Sequence, residues 1–119
     1  MGMILHICSK RAWAAAQASG EYRGDTLATE GFIHCSTPGQ VVEVANSIFK
    51  GGVGLILLVI DEREVLSEIR YEDADNGKLY PHIYGALNLG AVSKVADFLP
   101  KADGNFELPE LSHGRARAT

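Results

Sequence analysis

Cysteine is scarce: Cys8 and Cys35 are the two in 119 residues, and they form no Cys-x-x-Cys pair. That excludes a disulfide scaffold and reads both thiols as reduced, packed side chains of a cytosolic protein. Long hydrophobic runs are missing too. The longest, Leu55 to Ile60, is far below the roughly 20 residues that cross a bilayer. No basic residue precedes Met3-Ile4-Leu5, and Lys10-Arg11 follows it, which argues against a secretory leader. His6 stands where a myristoylation signal wants Ser or Thr. Nothing addresses the chain to a membrane, and its expected location is the cytoplasm. Basic charge is also short. Eleven Lys and Arg against fifteen Asp and Glu leave a net charge of -4, a balance that repels phosphate backbones. A nucleic-acid acceptor is therefore not indicated by charge, although a local basic groove is not excluded.

What is present is an ordinary globular composition, 46% hydrophobic and 22% charged, which excludes an intrinsically disordered chain. The length suits a single domain, expected over residues 1–111, with 112–119 a disordered tail. Met3 to Ile7 reads as a first strand. Ser9 caps an alanine-rich helix from Lys10 to Ala18 that Gly20 stops, with Trp13 anchoring it to a sheet. Gly20 to Thr29 reads as a long loop, and Gly31 to Ser36 as a strand. Thr37-Pro38-Gly39-Gln40 has the form of a capping box. Val41, Val44, Ala45 and Ile48 then recur at helical spacing up to Gly51-Gly52. Leu55 to Asp61 reads as a strand covered on both faces, followed by a short turn or helical piece at Glu62 to Ser67. Glu68 to Glu72 and Lys78 to Tyr84 flank Asn76-Gly77, a hairpin signal. Gly90 to Leu99 supplies one or two further strand segments. Runs of strands with few helices predict an α+β fold.

Histidine placement carries the chemistry. His6, His34 and His82 lie in or beside predicted strands, while His113 lies in the tail. Alternation puts Ile4, His6 and Cys8 on one face of a strand, Phe32, His34 and Ser36 on another, and His82 beside Tyr84 on a third. Three strands each carrying an inward polar group converge on one cleft. The plain alternative makes each histidine an ordinary satisfied sheet residue. Ser36-Thr37 precedes a capped helix, whose first amides favour an anion such as pyrophosphate. Zinc is not expected: the spacing fits no zinc motif, and alternation turns Cys35 away from His34. Ser36 lacks the Gly-x-Ser-x-Gly setting of a hydrolase nucleophile. Glu72 is a candidate general acid or base at a strand end.

These segments together resemble a known bacterial family. They are Ile4-Leu5-His6-Ile7, Trp13 with Gly20 and Tyr22, Gly31 to Gln40, Leu57 to Asp61, Tyr71-Glu72 and Pro81-His82-Ile83-Tyr84-Gly85. In this order, from about Met3 to Phe98, they are similar to domain of unknown function family 952. That family resembles a small branch of the ADP-ribosyltransferase fold. The resemblance implies two small packed mixed or antiparallel sheets, flanking helices and a central nucleotide cleft. It further implies that a first-strand His holds NAD, a second-strand Ser borders the nicotinamide and a late acid completes the site. His6 and Ser36 match the first two positions, and His82 sits near the third with Glu72 beside it.

The expected function is thus an NAD-utilising ADP-ribosyl or phosphate transferase. His82, His34 and Glu72 are its candidate catalytic residues, and His6, Ser36, Thr37 and Tyr84 its candidate cofactor contacts. NAD is the expected cosubstrate, a nucleotide the expected small-molecule partner, and no metal site is expected. The alternatives are a non-catalytic nucleotide-binding module of the same fold and a zinc-dependent hydrolase.

Overall fold

The computed structural model of the chain describes residues 2–111. The expected tail at 112–119 and His113 lie outside the described residues. The molecule is built on Leu55–Asp61 (β4), whose residues Leu55 to Ile60 are all buried. It pairs antiparallel with Met3–Ser9 (β1) on one side and Val92–Asp97 (β8) on the other. Ile56, Leu58 and Ile60 enter one apolar cluster with Ile4, Cys8 and Ile83, while Leu55, Leu57 and Val59 enter a second with Leu5, Val41 and Phe98. A strand covered on both faces needs a continuous apolar run, and each such side chain contributes about 1.5–3 kcal/mol by leaving water.

A second antiparallel sheet has the order Ile33–His34 (β3), Leu79–Tyr84 (β6), Glu68–Asp73 (β5). Glu21–Tyr22 (β2) and Leu87–Asn88 (β7) form a small third ladder. The first two sheets meet where Leu5 and Ser36 exchange backbone hydrogen bonds of 2.7 and 2.8 Å. This is the mixed α+β architecture with small antiparallel sheets that the strand-rich pattern predicts.

Lys10–Ser19 (α1) starts and stops for the reasons the sequence gives. Ser9 Oγ accepts the Ala12 amide at 3.0 Å, and Gly20 takes the left-handed φ of 98° that ends the helix. Ala16 is buried under it, and Trp13 packs against the first cluster.

Several boundaries differ from expectation. Gly20 to Thr29 is not a plain loop, because it contains β2 and a single helical turn, Leu27–Glu30 (α2). The expected strand Gly31 to Ser36 pairs regularly only at Ile33–His34, after which Cys35 and Ser36 bond across to Pro81 and Leu5. The helix expected from Pro38 runs as Val41–Ile48 (α3). Half of the capping box is formed, with Gln40 Oε1 accepting the Thr37 amide at 3.0 Å. Gln40 Nε2 donates to the Leu79 carbonyl and so ties this helix start to β6. Ile48 is 69% exposed, so the buried stripe is Val41 and Ala45. The hairpin is real, but its last pair is Asp73 with Leu79, and a five-residue loop replaces the tight Asn76-Gly77 turn. Asp73 Oδ1 accepts the amides of Asp75 and Gly77, which stabilises the wider loop.

A cleft lined by three histidines as candidate functional site

The seam between the two main sheets opens into a cleft of about 1280 Å³ whose walls include His6, His34, Ser36 and His82. Those four residues are the ones that strand alternation assigns to a common cleft. Phe32, Arg23 and Tyr80 share the lining. Thr37, Glu72 and Tyr84 do not, so two of the expected cofactor contacts and one expected catalytic residue lie outside the lining.

His34 on β3 and His82 on β6 are direct register partners. Their rings meet edge to face with centroids 5.3 Å apart. Phe32 stacks flat on His82 at 4.1 Å and meets His34 edge-on at 4.7 Å. Thr26 Oγ1 donates to the Phe32 carbonyl at 2.7 Å and holds that residue in place.

Behind His82 lies a carboxylate network. His82 Nδ1 donates to Glu72 Oε1 at 2.8 Å, and Tyr84 Oη donates to the same oxygen at 2.5 Å. The Tyr84 and His82 hydrogen bonds hold the Glu72 carboxyl below the usual carboxylate range. An ionised Glu72 can only accept, so Nδ1 of His82 carries a proton, and in the neutral form of the ring the lone pair lies on Nε2. Nε2 has no partner among the described residues. No side-chain nitrogen or oxygen there is both buried and unpaired, so Nε2 keeps some accessible surface, and His82 is one of the residues that line the cleft. The same reasoning leaves the Ser36 hydroxyl open to the cleft, although the residue is only 5% exposed.

His34 is arranged in mirror fashion. Its Nε2 bonds Glu30 Oε1 at 2.9 Å, which leaves Nδ1 without a partner among the described residues. Glu30 is not among the residues expected at the site. It is the acid four residues before His34, at the end of the helical turn α2 and just past the expected loop Gly20 to Thr29.

His6 is different. Its Nδ1 donates to the His34 carbonyl at 2.6 Å, which fixes Nε2 as the acceptor of the Tyr22 hydroxyl at 2.7 Å. Both ring nitrogens are occupied by protein groups, so His6 positions the backbone of His34. Burial pulls the His6 pKa down from the ordinary imidazole value. The unfolded chain therefore binds a proton that the folded chain refuses, and stability falls as pH drops below about 6.5. Melting curves between pH 7.5 and 5 should show this decline, and His6→Asn should flatten it. An unchanged slope in that variant would assign the decline elsewhere.

Thr37 has a structural role here. Its amide donates to Gln40 Oε1 and its carbonyl accepts the amides of Gln40 and Val41, so the Thr37 amide is not available to an anion at the start of α3. Cys35, just after β3, is buried in the first apolar cluster and also borders the cleft, and burial pushes its thiol pKa up. Burial likewise pushes the Cys8 thiol up to about 11. Neither is an activated nucleophile. Among the described residues no group of three metal-ligating side chains is assembled, and no helix is long and apolar enough to cross a membrane.

Comparison with known proteins identifies the family. The model of the family described as Protein of unknown function (DUF952) matches residues 7–95. The chain belongs to that family. Protein CC0527 from Caulobacter crescentus is similar in structure and sequence. Its crystal structure has a TM-score of 0.82 at 33% identity, covering 89% of this chain and 94% of that one. Its solution NMR structure has a TM-score of 0.77 at the same 33% identity, covering 88% and 91%. No curated protein matches the chain.

Proposed function

With membership of a family of unknown function as the premise, we propose that this chain is a transferase that takes NAD as cosubstrate and passes ADP-ribose to a hydroxyl acceptor. The observation that carries the reading is His82: Nδ1 held by the ionised Glu72, Nε2 open to the cleft. A base oriented by a third group is the arrangement that activates a weak nucleophile. His82 Nε2 takes the acceptor proton, the acceptor oxygen bonds the ribose C1′, and nicotinamide leaves with the electrons of the glycosidic bond. That bond breaks with positive charge developing on the ribose, as in glycoside hydrolysis. Glu72 lies one ring away from this charge. The Ser36 hydroxyl is free to bond the ribose.

The resemblance to the ADP-ribosyltransferase fold that the sequence motifs suggest is in keeping with the reading in one further way. A cleft at the split between two small sheets, with a first-strand histidine at the seam, is what that likeness implies. Saturation of both His6 nitrogens favours the second reading, a nucleotide-binding module without turnover. NAD and a panel of hydroxyl acceptors separate the two. The expected result is nicotinamide release above the buffer rate, detected by chromatography. Saturable NAD binding without release would favour the module, and neither binding nor release would remove NAD from the proposal.

A further inference from the structure

We propose that the His34–His82 pair also carries out metal-free cleavage of a short ribonucleotide phosphodiester, with His82 as general base and His34 as general acid. The inference rests on the complementary use of the two rings, not on NAD. His82 spends Nδ1 on Glu72 and keeps Nε2, whereas His34 spends Nε2 on Glu30 and keeps Nδ1. Direct cross-strand pairing points both rings to one side of the sheet, with centroids 5.3 Å apart. With each ring atom about 1.2 Å from its centroid, the two free nitrogens lie within roughly 8 Å of each other. An in-line displacement at phosphorus asks for one base on the attacking oxygen and one acid on the leaving oxygen, each within hydrogen-bond reach. A separation up to that bound is wide enough to span a phosphorus with its attacking and leaving oxygens.

The step balances without a cofactor. Neutral His82 removes the 2′-hydroxyl proton at Nε2, and O2′ bonds phosphorus. The P–O5′ bond breaks with its electron pair on O5′, which takes the Nδ1 proton of the His34 imidazolium. The products are a 2′,3′-cyclic phosphate and a free 5′-hydroxyl. Water then opens the cyclic phosphate with the roles reversed: His34 takes the water proton and His82 returns its own to O2′. The carboxylates Glu30 and Glu72 stabilise each imidazolium as it forms.

Charge selects the size of the substrate. A chain of net charge -4 repels a polynucleotide with its many phosphates far more than a ligand carrying one phosphodiester. A cleft of about 1280 Å³ has room for two nucleosides, and Phe32 in its wall is an aromatic side chain on which a base can stack.

The test uses a dinucleoside monophosphate with chelator present and no NAD. The expected product is the 2′,3′-cyclic phosphate. His34→Ala should slow its formation by about 10²–10⁴-fold, the usual contribution of one proton-transfer group. The analogue with sulfur at the 5′-bridging position decides the role, because a thiolate leaves without a proton. On that analogue His34→Ala should cleave at close to the wild-type rate, while His82→Asn stays slow. Independently of any variant, the wild-type pH profile should lose its alkaline limb on the sulfur analogue. Absence of cyclic phosphate from the wild-type protein, or an unchanged profile with sulfur, overturns the proposal. Nicotinamide release without diester cleavage would overturn it and leave the NAD reading standing. The reverse result would do the opposite.

Discussion

His82→Asn is expected to lower turnover by about 10²–10⁴-fold while the protein remains folded. The asparagine amide can occupy the place of Nδ1–H and keep a donor on Glu72, but it has nothing at the position of Nε2. Only the chemistry that uses Nε2 is removed, and a lost general base costs on that order. The structural cost is the loss of the flat Phe32 stack at 4.1 Å, about 0.5–1.5 kcal/mol. At roughly 3–5 °C per kcal/mol for a chain of this size, the melting point should fall by only a few degrees. His82→Ala would be a poorer test. His82 is 7% exposed, so alanine opens a void and leaves Glu72 with Tyr84 as its one remaining donor. Glu72→Gln is the companion variant, and it should slow turnover less than His82→Asn, because the ring stays but its tautomer is no longer enforced. A folded His82→Asn with full turnover and full nucleotide affinity would return His82 to ordinary sheet packing.

The residues that build this site were legible to different degrees, for physical reasons. Strand alternation is a local rule, so it correctly puts His34 with Phe32 and Ser36 and turns Cys35 to the core. It also pairs His82 with Tyr84, and both donate to one Glu72 oxygen. Cross-strand register is not local, and nothing in the sequence sets His34 opposite His82. Short elements defeat pattern reading as well. A four-residue turn such as Leu27–Glu30 has no period to detect, so Glu30 went unseen. His6 shows a third limit. Its residue type and place in the first strand suggest a ligand contact, yet the Tyr22 hydroxyl and the His34 carbonyl consume both nitrogens. Tyr22 lies 16 residues away in a segment read as loop. The hairpin loop fails for a different reason: Asp73 accepts two loop amides, and that side-chain bonding outweighs the preference of Asn-Gly for a two-residue turn.

The largest loss of stability is expected at the other end of the molecule, from Phe98→Ala. Phe98 is 1% exposed and stacks on Phe106, itself 2% exposed, with centroids 4.6 Å apart. Both lie beyond residue 95, where the family match stops, yet both complete the apolar cluster under Leu57, Val59 and Val41. The segment is tied down by polar bonds as well: Phe98 donates its amide to the Leu55 carbonyl, and Phe106 donates its amide to Asn46 Oδ1 on α3. Truncating such a ring costs about 3–5 kcal/mol through lost burial and the void it leaves. Against a total of roughly 5–15 kcal/mol, that is a melting point lower by about 10–20 °C. Leu99→Ala, one residue on and 62% exposed, should change stability by no more than about 0.5 kcal/mol. His34 and His82 hang from the second sheet, so turnover per folded Phe98→Ala molecule should match the wild type at low temperature. Denaturant titration of both variants, with turnover measured well below the melting point, checks both halves. A Phe98→Ala protein as stable as Leu99→Ala would mean that residues 98–106 rest on the core without contributing to it.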